Sequence, residues 1–115
     1  MVIYQGDVSW VAMGEPSAAG PSYRRPSVVI QNDIFNESRI ETVVVCALST
    51  NLQLAHSPGN VLLFAGEANL PRQSVVNISQ IYTVDKRELI EKIGSLSPRT
   101  LDCVLAGIYQ MSEPA

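Results

Sequence analysis

The sequence predicts a mainly β domain, a small antiparallel barrel that ends in a single helix. Three observations point there. The first two thirds of the 115 residues hold five short runs rich in Val and Ile, each bounded by Gly, Pro, Asn or Ser. No long helical pattern separates them, and parallel crossovers need a dozen or more residues each, so the strands pair antiparallel. Near the end, Leu101, Val104, Leu105 and Ile108 recur at helical spacing and form one apolar stripe.

The runs span Val8 to Met13, Arg25 to Gln31, Thr42 to Leu48, Val61 to Phe64 and Ser74 to Tyr82. Pro26 has a fixed φ and no N–H, which suits the first residues of a strand and marks where pairing begins. Val28 to Ile30 and Val43 to Val45 are continuously apolar. Both faces of those strands are therefore expected to be covered, by core on one side and by a helix or a partner chain on the other. Between Gln31 and Glu41, Asn32 is placed to cap one helical turn through Asn36. Asp85 and Glu88 have the spacing of a capping box and predict a short helix from Lys86 to Glu91. Ser97 followed by Pro98 pairs an N-cap with proline at the first helical position, which opens the last helix. Gly107 weakens that helix by about 1 kcal/mol relative to Ala, which packing can offset.

One domain, residues 1–115, accommodates this plan: the chain is long enough for a real core and too short for two. No run approaches the ~18 apolar residues that span a bilayer, and Gly6 and Asp7 interrupt any signal-peptide pattern, so a cytoplasmic protein without a membrane role is expected. Cys46 and Cys103 lack metal-ligand spacing and disulfide density, and read as buried small hydrophobes. His56 is the only histidine and falls in a loop, so no pair of histidines is available for acid/base work and no His/Cys/Asp cluster for a metal. The net charge of −3 runs against the basic character usual in nucleic-acid binders. Its distribution is uneven, however. Arg24, Arg25, Arg39 and Arg72 fall in loops or at strand ends, whereas Glu88, Glu91, Asp102 and Glu113 lie toward the C-terminus, so a local basic groove is compatible with an acidic chain.

The most informative stretch is Arg24-Arg25-Pro26-Ser27-Val28-Val29-Ile30-Gln31-Asn32-Asp33, two guanidinium groups on the lip of an apolar strand. Before it stands Gly6-Asp7-Val8-Ser9-Trp10-Val11. After it come Thr42 through Leu52, Pro58-Gly59-Asn60-Val61-Leu62-Leu63, Leu70 through Asn77, and Gln80-Ile81-Tyr82-Thr83-Val84-Asp85-Lys86. Each piece is unspecific, but the ordered set covers nearly the whole chain and resembles the MazF/PemK family of toxin endoribonucleases.

That resemblance implies an SH3-like β-barrel of the CcdB/PemK type, a homodimer, and sequence-specific cleavage of single-stranded RNA, mRNA in particular, without metal or cofactor. It also implies a cognate antitoxin protein whose extended acidic segment competes for the RNA groove. The arginine of the family's Arg-Pro pair is catalytic, which by position is Arg25, and Arg24 becomes a phosphate-steering residue. The family closes its third strand with a threonine, where this chain has Ser49 followed by Thr50. Ser49 keeps the donor and acceptor but loses the methyl that restricts χ1, and Thr50 is its substitute if the register shifts by one. Gly20, Ser22 and Tyr23 in the loop before the arginines, with Ser74 and Gln80, match positions beside the substrate. Tyr23 offers a ring for base stacking. Gln73 stands where many relatives carry Asp.

RNA cleaves itself when the ribose 2′-OH attacks the adjacent phosphorus, so the enzyme's task is to align that hydroxyl, stabilise the added negative charge and help the 5′-oxygen leave. Arginine suits the second task, because its planar fork of donors matches two phosphoryl oxygens. Guanidinium groups do not lose their proton in proteins, so electrostatic stabilisation rather than proton abstraction is the role expected of Arg25. Two other readings differ in class. A non-catalytic toxin of the same fold that poisons gyrase would carry a C-terminal tryptophan, whereas the only tryptophan here is Trp10 and the chain ends Met111-Ser112-Glu113-Pro114-Ala115. A peptide-binding SH3-like module would need an aromatic-lined groove, for which Phe and Tyr are too sparse.

Overall fold

Six strands form one antiparallel sheet in the order β4-β5-β3-β2-β1-β6, curled into a half-barrel, in a computed structural model that describes residues 2–12 and 24–115. The strands are β1 (Asp7–Ala12), β2 (Arg24–Val29), β3 (Thr42–Ser49), β4 (Val61–Leu63), β5 (Ser74–Asp85) and β6 (Leu89–Ser95). α1 (Asp33–Asn36) is a single turn and α2 (Pro98–Ser112) is the C-terminal helix. Both begin as the sequence implies. Asn32 Oδ1 accepts from Ile34 N (2.8 Å), and Ser97 Oγ accepts from Thr100 N (3.3 Å) with Pro98 just behind it.

Residues alternate between the two faces of each strand, and here each face has its own core. Val8, Val28, Cys46, Leu48 and Val76 face α2, which contributes Val104 with Leu101 and Ile108. Val11, Val29, Val43 and Val45 face the other way and are closed over by Ile3, Leu89 and Val84. Val28, Val29, Val43 and Val45 have no accessible surface in the single chain. The expected cover on both faces is therefore present within one chain: the helix α2 lies on one face, and the curl of the sheet with Ile3 of the N-terminal segment closes a core on the other.

The predicted barrel is present with its seam closed by a turn. No ladder joins β4 to β6 among the described residues. Instead the turn Glu67–Asn69 lies against β6, where Asn69 Nδ2 donates to Ile93 O (3.2 Å) and Gly94 packs so tightly on the Ala68 backbone that a Cβ there would collide. Glu67 then fastens the turn to the start of α2, accepting from Ser97 N (2.9 Å) and Thr100 Oγ1 (3.1 Å). A carboxylate at a helix N-terminus is favoured both by the free N–H groups and by the helix dipole.

Two further expectations are overturned. The capping box at Asp85 and Glu88 forms, but it opens only the three-residue turn Lys86–Glu88, and the residues beyond become β6 rather than a helix to Glu91. Pairing with β1 supplies five ladder partners, from Leu89 opposite Val11 to Ser95 opposite Asp7 with two register shifts between them, and a Lys92–Asp7 ion pair at 3.2 Å reinforces it. Those long-range contacts outweigh what one isolated helical turn offers. Cys103 is exposed, because the α2 face carrying Leu101, Val104 and Ile108 is the one turned to the core. Cys46 is buried as expected. Gly107 is explained by packing: α2 approaches the Gly59 backbone there so closely that no side chain fits, which outweighs the intrinsic helix penalty.

Candidate active site

The site grows from the start of β2. Val11 pairs with Arg25 and Trp10 with Pro26 on one side, while Ser27 pairs with Ala47 of β3 on the other. Carried two residues further, that second register sets Arg25 across from Ser49. Consecutive strand residues point to opposite faces, so Arg24 and Arg25 part company. The Arg24 guanidinium stacks over the Trp10 ring, 4.6 Å from its centroid, and Arg24 is absent from the cavity that Arg25 lines.

Arg25 is half-buried and held at two points. Its Nη1 donates to Gln80 Oε1 (3.1 Å) and its Nη2 to Leu48 O (3.2 Å). These contacts fix the plane of the fork while leaving further N–H groups for a ligand. Gln80 is available because β5 bulges. Between the pairs Cys46–Ile81 and Leu48–Val76, the four residues Asn77 to Gln80 oppose Ala47 alone. Such bulges re-aim side chains beside functional sites. Cys46 anchors this one, its Sγ donating to Asn77 O (3.1 Å). Burial pushes the Cys46 thiol up to about 12, which keeps it protonated and a donor.

A cavity of about 310 Å³ opens beside the guanidinium and is lined by Arg25, Pro26, Leu48, Ser49, Thr50 and Ser74. Ser49 Oγ accepts from Asn51 N (3.1 Å), the local turn that serine commonly makes at a strand end. That bond uses a lone pair and leaves the O–H free to donate into the cavity. Thr50 is exposed at the rim. Ser74 Oγ donates to Arg72 O (3.2 Å), so its hydroxyl already has a partner. Among the described residues, Arg25 is the only ionisable side chain in this lining, so these residues make the cavity wall locally cationic in a chain of net charge −3. His56, at the end of the turn Leu52–His56, is exposed and takes no part in the lining.

The structure thus brings together Arg25, Ser49, Thr50 and Ser74, with Gln80 behind the arginine, and sends Arg24 to Trp10. Gly20, Ser22 and Tyr23 lie outside the described residues. Sequence reasoning missed Asn60, Asn77 and Cys46 as the fasteners of the bulge, since nothing in an Asn before a strand or a Cys within one announces that partnership. No three His, Cys, Asp or Glu side chains converge among the described residues.

Comparison with known proteins places this arrangement. The profile of PemK-like, MazF-like toxins of type II toxin–antitoxin systems matches residues 4–112. Endoribonuclease MazF6 of Mycobacterium tuberculosis is 43% identical over 113 residues, covering 98% of this chain and 99% of the relative. Endoribonuclease EndoA of Bacillus subtilis is 34% identical over 104 residues, covering 90% and 89%. Among solved structures, a mycobacterial endoribonuclease in complex with its cognate antitoxin superimposes with a TM-score of 0.77 at 21% identity, covering 98% of each chain. A MazE–MazF structure from Deinococcus radiodurans gives a TM-score of 0.79 at 16% identity, covering 100% and 99%. The structural likenesses bear on the fold alone.

Proposed function

The chain belongs to the family of PemK-like, MazF-like toxins of type II toxin–antitoxin systems, and we propose that Arg25 and Ser49 carry its chemistry, the cleavage of single-stranded RNA. It is an endoribonuclease, the activity for which its relatives across nearly their full length are named. The gyrase-poison reading is disfavoured by those same relatives.

One observation supports the assignment above the rest: a half-buried guanidinium braced by Gln80 and Leu48, at the wall of a cavity that also holds the Ser49 hydroxyl. Arg25 neutralises charge that builds on phosphorus, and Ser49 donates to a phosphoryl or leaving oxygen. Ser74 and Thr50 offer polar edges for the substrate. Arg24, stacked on Trp10, acts from outside the cavity as a steering charge. Mapping 5′ ends after mixing the purified protein with a long RNA tests activity and reads the cleavage sequence together. Absence of discrete new ends removes the proposal.

Ser49→Ala slows cleavage, whereas Ser49→Thr is tolerated because it restores the hydroxyl together with the family's methyl. Initial rates on one RNA decide between positions: a damaging Thr50→Ala with a silent Ser49→Ala moves the hydroxyl role to Thr50.

The partners follow from the same reading. A cognate antitoxin, like those bound to the mycobacterial and Deinococcus structural neighbours, places an acidic extended segment over the basic cavity and blocks RNA. The chain acts as a homodimer in the cytoplasm. Phe35, Ile34, Phe64 and Tyr109 are among the exposed apolar side chains available to such contacts. No helix among the described residues is long and apolar enough to cross a membrane. Sedimentation at micromolar concentration is expected to report a dimer, and a strictly monomeric species across that range counts against a groove shared by two chains.

A further inference from the structure

Asn60 sits in the loop ahead of β4, outside the cavity lining, yet its side chain is the hub of the β5 bulge. Its Oδ1 accepts from Ile78 N (3.0 Å), and its Nδ2 donates to Leu54 O (2.9 Å) and, at 3.4 Å, to Asn77 Oδ1. Asn77 Oδ1 also accepts from Ser79 Oγ (2.8 Å). Asn77 to Gln80 are the four residues for which β3 provides only Ala47, so Ile78 takes a side-chain acceptor where a regular ladder would supply a carbonyl. Backbone polar groups this close to the core must be paired, and a bulge without such a partner would relax toward another register.

We propose that Asn60 is a positioning residue for the cleavage reaction: it pins the β5 bulge, the bulge presents Gln80, and Gln80 Oε1 orients the Arg25 fork. The inference rests on Arg25 being the residue that stabilises the transition state. Asn60 touches the bulge rather than the substrate, and so acts on catalysis only through the angle and rigidity of the guanidinium. A loosened Arg25 still attracts phosphate as a point charge but loses the two-point match that counts where charge develops. The effect therefore falls on kcat, with KM nearly unchanged.

The test is a double-mutant cycle, read as kcat and KM on a short RNA spanning a mapped cleavage point, well below each variant's Tm. Asn60→Ala and Gln80→Ala are each expected to lower kcat by about tenfold, short of the ~10²-fold that a 1 Å misplacement can cost. The double variant is expected to lose no more than the worse single one, because both changes release the same guanidinium. NMR adds a readout that global stability does not move: the Arg25 Nη signals, resolved by restricted rotation in the wild type, average together in Asn60→Ala. Should that variant not fold, Ser79→Ala removes only the hydroxyl that Asn77 Oδ1 accepts, and a fall in kcat of about threefold with the same loss of Arg25 rigidity is expected, a smaller step on the same scale. Multiplicative losses, a change confined to KM, or unaltered Arg25 signals in a folded variant overturn the proposal. Arg25→Ala, run alongside, separates the two failures: if it leaves the rate intact, the site assignment itself is wrong, and if it abolishes the rate while the Asn60 and Ser79 variants keep theirs, only the positioning role falls.

Discussion

Arg25→Ala is expected to lower the rate of RNA cleavage by about 10²-fold or more, the loss typical when one preorganised oxyanion donor is removed. The fold should survive. Arg25 is half-buried at the start of β2, and its loss frees Gln80 Oε1 and Leu48 O, the latter in a cavity lining that admits water. Giving up hydrogen bonds of this kind costs on the order of 1 kcal/mol each, a modest part of a domain's stability. Arg25→Lys should rescue poorly. One ammonium is a point charge that cannot span Gln80 and Leu48 while also presenting a fork to phosphate. Initial rates, with circular dichroism to verify folding, decide the matter. A folded Arg25→Ala protein cleaving near the wild-type rate would place the chemistry elsewhere.

The position of Arg25 at the start of β2 was legible in the sequence because Pro26 marks where the Val-rich strand begins, while the catalytic role proposed for it came from the family resemblance. The five strand cores were legible for a related reason, since Val and Ile clusters bounded by turn residues have few other uses in a chain this short. β6 was hidden. Its Glu91, Lys92 and Gly94 carry little strand character, and the Asp85–Glu88 capping box in front of it is a sound local helix signal that long-range pairing with β1 overrides. The fate of Arg24 followed from alternation along β2, but its partner Trp10 became evident only once the register of β1 was known. Gln80 was expected near the substrate from the family resemblance, while its contact with Arg25 depends on the four-residue bulge, which no periodicity encodes. The same holds for Asn60, whose partners lie in two other segments. The doubly apolar strands called for cover on both faces, and α2 on one side with the curled sheet on the other supplies it within a single chain.

A single 2′-deoxy substitution at the scissile nucleotide is expected to abolish cleavage there, and this is the largest effect the site implies. Among the described residues, the cavity lining offers a guanidinium and three hydroxyls and neither a carboxylate nor an imidazole. Those groups suit a reaction whose nucleophile belongs to the substrate. In the proposed reaction the 2′-oxygen bonds to phosphorus as its proton passes to solvent water, Arg25 holds the charge that gathers on the phosphoryl oxygens, and the bond to the 5′-oxygen breaks as that oxygen gains a proton. Ser49 is placed to donate along this path. The products then carry a 5′-hydroxyl and a 2′,3′-cyclic phosphate, which opens to a 3′-phosphate, and cleavage persists in EDTA. A site that instead activated water would cut the 2′-deoxy substrate at an undiminished rate and leave a 5′-phosphate, as hydrolysis by metal-bound hydroxide does. End-group analysis of the two substrates side by side distinguishes these outcomes, because the identity of the nucleophile is written into which product keeps the phosphorus.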